Sequence, residues 1–139
     1  MALVVPNSSE IEALSILVGK TSQPTLALRL FTSNTVPDES TTLGSLTECT
    51  AAGYPSGGIT LSGASWTIST DSGTGITSGV YPQQTFTITA GASVYGYYVT
   101  DSGVTPTKLF WVERFSGAPF TLPNPGGGTI TVTPKINLD

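Results

Sequence analysis

Two runs of sequence, SVYGYYVT from Ser93 and KLFWVERF from Lys108, are apolar on both faces, and no other feature limits the possible folds so strongly. The turn-rich segment DSGVTPT joins them. Their β-branched and aromatic content predicts strands, and Asp101-Ser102-Gly103 with Pro106 predicts a hairpin or short connection. A strand with one face in water alternates apolar with polar residues. Here Val94, Gly96 and Tyr98 share one face, while Tyr95, Tyr97 and Val99 share the other. In the second run Leu109, Trp111, Glu113 and Phe115 fall together, opposite Phe110, Val112 and Arg114. The pair is expected in mid-sheet, with one face in the core and the other covered by a helix or a second subunit. Such double coverage points to assembly rather than chemistry.

The rest of the chain supplies sheets to surround that pair. Thr25–Phe31 (TLALRLF), Ile59–Leu61, Trp66–Thr70, Gln84–Ala90 and Thr129–Thr133 read as strands, and Leu43–Thr50 as a weaker one. Sixteen glycines and ten prolines crowd the segments between, so residues 33–42, 51–59, 70–79 and 118–125 read as loops or turns. About eight short strands, spaced about ten residues apart, predict an all-β domain: an antiparallel β-sandwich of jelly-roll type. One short N-terminal helix is expected. Asn7-Ser8-Ser9 offers N-cap oxygens, Glu10 and Glu12 suit the first turn, and Gly19 suits the C-terminus. Ile11, Leu14 and Val18 recur at helical spacing, with Leu17 beside them. Residues 1–22 then form an arm and helix, and residues 23–139 the sandwich. The helix is either a lid on the sheet or an arm that docks on a partner.

Chemistry finds little to work with. Only 10% of residues are charged, against about 25% in average soluble domains. Net charge is −4, and Lys20, Arg29, Lys108, Arg114 and Lys135 are scattered, which excludes the basic stripe of a nucleic-acid binder. There is no histidine, and the single cysteine, Cys49, has neither a disulfide partner nor metal-ligand company. No catalytic residue, cofactor or metal site is expected. Asp38-Glu39 reads as a solvated loop, and a more distant carboxylate pair such as Asp71 and Asp101 is left open by sequence alone. Glu113, inside an apolar strand, needs a partner such as Arg29 or a lysine, within the chain or across a subunit boundary. Met1–Pro6 lacks the pattern of a signal peptide, and no apolar run reaches the ~20 residues that span a bilayer. The expected protein is made in a cytoplasm and stays soluble, without a membrane partner.

From the middle of the chain onward the residues fall into a familiar order. TECTAAGYPSGGITLSGASW, then FTITA, VYGYYVTDS, KLFWVERF and a closing TITVTPKINL resemble a group of small β-proteins encoded by tailed bacteriophages. The resemblance covers roughly residues 45–138 and rests on spacing and aromatics. Members of that group look like virion structural proteins, including capsid decoration (cement) proteins and other head- or tail-associated β-modules. The resemblance implies a non-enzymatic protein of the outer capsid surface, made in the host bacterial cytoplasm, whose partner is the major capsid protein; the two-sided apolarity of the central runs adds self-association, as a homotrimer. The candidate subunit or capsid contacts are Leu3, Val5, Ile11, Leu14, Val18, Tyr95, Tyr97, Phe110 and Arg114. Two further readings remain: a tail-fibre or receptor-binding module that recognises a host-surface glycan through Tyr54 or Tyr81, and a β-sandwich hydrolase.

Overall fold

In the computed structural model, which describes residues 3–138, the chain is mostly β with one α-helix and several antiparallel sheets. The helix α1 covers Asn7–Leu17, and eleven strands follow in order. These are β1 (Leu26–Phe31), β2 (Ile59–Leu61), β3 (Thr67–Thr70), β4 (Thr77–Val80), β5 (Gln84–Ile88), β6 (Ala92–Val94), β7 (Gly96–Asp101), β8 (Leu109–Arg114), β9 (Phe120–Leu122), β10 (Gly128–Val132) and β11 (Lys135–Leu138).

The two doubly apolar runs are β7 and β8, and they do lie inside the largest sheet, ordered β2-β1-β7-β8. Beyond β8, Val4 closes the edge by a reciprocal pair of 2.9 Å backbone bonds with Val112. Phe31 of β1 faces Gly96 of β7, and a Cβ at Gly96 would run into the Phe31 ring and the Glu113 carbonyl. Glycine is what lets the ring lie flat across that strand.

β3, β4 and β11 form a three-stranded sheet, β5 pairs with β10, and β6 pairs with β9. The main core gathers Leu28, Leu30 and Val99 from the four-stranded sheet with Phe86, Ile88, Ile130 and Val132 from the β5–β10 pair. A second, smaller cluster of Phe31, Leu46, Tyr98, Leu109 and Val112 lies on the other side of β1, β7 and β8.

The alternation expected in β8 breaks at one point. Val99 faces Trp111, but Thr100 faces Leu109, so Phe110 is an extra residue. This β-bulge reverses the phase of the strand. Phe110 joins Trp111 and Phe115 on the main core, while Leu109 joins Val112 on the other side. The expected grouping of Leu109 with Trp111 is corrected accordingly.

Three further expectations are corrected. Leu43–Thr50 is not a strand: Leu43–Ser45 is a 3-10 turn closed by reciprocal Thr42 and Ser45 contacts, and only Glu48 bridges to Phe31. Residues 77–79, expected in a loop, form with Val80 the central strand of their sheet despite Gly79. Residues 120–122, within the expected Pro-rich turn, form β9. The helix is capped by Pro6 rather than by a side chain of Asn7-Ser8-Ser9, and Gly19 with φ +74 follows its end as expected.

Candidate interaction surface

The helix is mounted with its polar side inward. Ser9, 1% exposed, donates its hydroxyl to the Leu109 carbonyl at 2.6 Å. One turn on, Glu12 accepts from Lys108 Nζ at 2.7 Å, and Ile16 packs on the main core. Ser9, Glu12 and Ile16 follow the helical period, so they define one face. Ile11, Leu14 and Val18 define nearly the opposite face and stand 60–67% exposed, with Leu17 at 82%. A surface helix normally turns its apolar stripe to the core. Here hydrogen bonds and an ion pair hold the helix down, and the apolar stripe meets solvent.

Beside this stripe runs a groove of about 680 Å³ between α1 and the three-stranded sheet. Ile16 and Leu17 form one wall, Ile68 and Ile136 the other, with Trp66 and Trp111 between, and no charged side chain lines it. Ile68 and Ile136 face each other across Gly79, whose missing side chain leaves the space between them.

The second face of β7 and β8 is covered inside the chain. Val4, Leu43 and Tyr95 pack on the cluster of Leu109, Val112 and Tyr98, and α1 lies along β8. The two-sided apolarity that suggested a second subunit is therefore accounted for by the arm, the helix and the 3-10 turn.

The nine candidate contacts separate sharply. Ile11, Leu14 and Val18 are open. Leu3 and Val5 are half-buried on the main core. Tyr97 and Phe110 are 3% and 8% exposed, so as surface contacts they are corrected: both rings are spent on the core. Tyr95 is half-buried beneath the Arg114 guanidinium, 4.9 Å from its ring centre. Arg114 also donates to the Thr35 carbonyl at 2.9 Å and to Asn34 Oδ1 at 2.8 Å, which fixes it within the chain.

Aromatics suited to glycan recognition are likewise turned inward. Tyr81 is buried and accepts from the Ser62 N–H at 2.9 Å. Tyr54 stacks on Phe86 with centroids 5.5 Å apart and donates to Glu48 Oε1 at 2.9 Å.

Glu113 does not pair with Arg29. It accepts from the Tyr97 hydroxyl at 2.7 Å, which satisfies a half-buried carboxylate without a cation. Arg29, 0% exposed, instead pairs with Glu48 at 2.7 Å, donates to Thr100 Oγ1 at 2.9 Å and also reaches the Gly103 carbonyl. Sequence reasoning missed this centre because Glu48 lies in a segment read as a weak strand.

Asp38, Asp71 and Asp101 serve their own loops. Asp71 accepts from Gly73 N–H and Thr74 N–H, and Asp101 from the Thr107 and Lys108 N–H groups and the Thr107 hydroxyl. Hydrogen bonds from Thr74 and Gly73 hold Asp71 below the usual carboxylate range. At Asp101, burial pushes upward, but the bonds from Lys108 and Thr107 outweigh it and the net shift is down. Burial raises the Cys49 thiol. It also raises the Tyr54, Tyr97 and Tyr98 phenols, helped at Tyr54 and Tyr98 by the Glu48 charge and at Tyr97 by Glu113. Among the described residues, no helix is long and apolar enough to cross a membrane.

No protein-family model, curated protein or solved structure matches this chain.

Proposed function

We propose that this chain is a bacteriophage capsid decoration protein, which binds the outer surface of the assembled head through the major capsid protein and stabilises it without catalysing a reaction. One observation carries the reading. The stripe of Ile11, Leu14 and Val18 faces solvent on a helix that polar contacts hold against the sheet. Isolated exposed apolar residues are ordinary, whereas a contiguous row on a fixed element marks an interaction site. The finer architecture belongs to the same reading: a sandwich of jelly-roll type, supported by the core that joins the β1–β7–β8 sheet to the β5–β10 pair.

A protein that binds the assembled lattice, and not free subunits, adds its binding free energy to the stability of the shell. Neighbouring contacts on one lattice reinforce each other by effective concentration, so no single contact need be strong. An apolar stripe also makes attachment nearly insensitive to salt. The glycan-binding alternative loses its best candidates, since Tyr54 and Tyr81 are engaged inside the fold.

The test compares virions with and without the protein, and with Leu14→Ser/Val18→Ser protein, for DNA release on heating. Lower release temperatures in the bare and variant particles are expected. Equal stability, or images with the protein at the tail tip, would overturn the reading.

A further inference from the structure

We propose that α1 is a clasp, which opens from the sheet and melts as a unit while the β-structure stays folded, and that the Glu12–Lys108 ion pair governs how often it opens. The helix stands on a narrow seam. On one side runs the groove of about 680 Å³ toward the three-stranded sheet. On the other, a second groove of about 320 Å³ lies between Ser8 and Glu12 and the 3-10 turn at Leu43 and Gly44. Of the eleven residues of α1 only Ser9 is buried. Elements with few buried apolar contacts and solvent-exposed backbone hydrogen bonds are the ones that open before the whole fold does.

Three attachments keep the clasp shut: the Ser9 hydroxyl on the Leu109 carbonyl, the Glu12–Lys108 pair and the half-buried Ile16. The first is a single hydrogen bond, whose net contribution is modest even when buried. Both members of the ion pair reach water, so salt screens it. Ile11, Leu14, Leu17 and Val18 stand in solvent already, so the helix has little of the apolar burial that usually anchors one to a surface. Once off the sheet, eleven residues are too few to hold a helix in water. The chain on either side limits the motion. Before α1, Pro6 is fully buried and Val4 is bonded into the edge of β8. After it, Gly19 at φ +74 leads into the mostly exposed residues 20–23. Ile11, Leu14 and Val18 form one row only while the helix is intact, so the clasp controls whether the row is presented. A partner on the row would hold the clasp shut by linkage. The clasp itself belongs to the free protein and does not depend on the capsid reading.

Amide hydrogen exchange on the full chain tests it, with the central strands β1 and β7 as the reference for global unfolding. The amides of α1 should be protected only about ten- to a hundredfold, against about a thousandfold or more in β1 and β7. Raising the ionic strength from about 0.02 M to about 1 M should speed exchange in α1 about two- to fivefold and change the reference strands less. Lys108→Met should speed α1 by a similar factor at low salt and remove most of the salt response, while protection of β1 and β7 shows that the variant is folded. Amides of α1 that exchange no faster than those of β1 and β7, a wild type without the salt response, or a response undiminished in Lys108→Met would overturn the proposal.

Discussion

Arg29 Nη1 donates to Glu48 Oε2 at 2.7 Å, joining a guanidinium with no solvent exposure to a carboxylate that is 23% exposed. The same guanidinium holds the β7–β8 loop through the Gly103 carbonyl and β7 through Thr100. Gly58 makes the approach possible, because a Cβ there would meet the Leu28 carbonyl and lie 2.8 Å from Arg29 Cγ.

Removing one member of a buried pair strands the other, which costs about 3–5 kcal/mol in dry sites. Glu48 reaches water, so Glu48→Gln should lie at or below the low end of that range, while Arg29→Ala should be more severe. The double Arg29→Ala/Glu48→Gln variant should lose less than the sum of the two single changes. Urea unfolding of all four proteins measures the coupling, and strict additivity would show that the pair contributes no specific interaction.

Stability should be nearly flat between about pH 5 and pH 8, because the chain has no histidine. On the acid side, Asp38, Asp71 and Asp101 have folded-state values below their unfolded ones. Their contribution is present above the unfolded value of about 3.9 and is lost as pH falls through the folded values. On the alkaline side Cys49, Tyr54, Tyr97 and Tyr98 are raised, so folding binds the proton more tightly than the unfolded chain does. That contribution is complete below the unfolded values, about 8.5 for the thiol and 10 for the phenols, and declines above them. Thermal midpoints across pH 2–11 check both limbs, and Asp101→Asn should flatten part of the acid limb. A slope centred near pH 6.5 would contradict this assignment of groups.

The two sides of α1 should respond unequally to mutation. Ser9→Val removes the donor to a buried carbonyl and should cost about 1–3 kcal/mol. Leu14→Ser, on the solvent side, should change stability by no more than about 0.5 kcal/mol. Denaturant midpoints of the two variants decide this; a larger loss from Leu14→Ser would mean that the stripe supports the fold itself.

How much of this the sequence showed depended on whether local pattern or tertiary context set the outcome. β1, β5 and β10 were legible from alternation, and β7 and β8 from their β-branched and aromatic content, because each buries its apolar residues in a core. β4 was hidden by Gly79, which sits mid-strand only because Ile68 and Ile136 flank it from both neighbours. β9 was hidden by the prolines around it. The candidate surface was half legible: Ile11, Leu14 and Val18 were identified by their spacing, but spacing cannot tell inward from outward. Their direction is set by Ser9 and Glu12, whose partners Leu109 and Lys108 lie about a hundred residues away.

The bulge at Phe110 has a consequence for the helix as well as for the core. On the outer edge of β8 alternate carbonyls face away from β7, and the bulge changes which residues present them. Leu109, at that irregularity, gives its carbonyl to Ser9. The defect in the sheet thus acts as an address: it tells α1 where along β8 to sit, and so determines which way the stripe of Ile11, Leu14 and Val18 points.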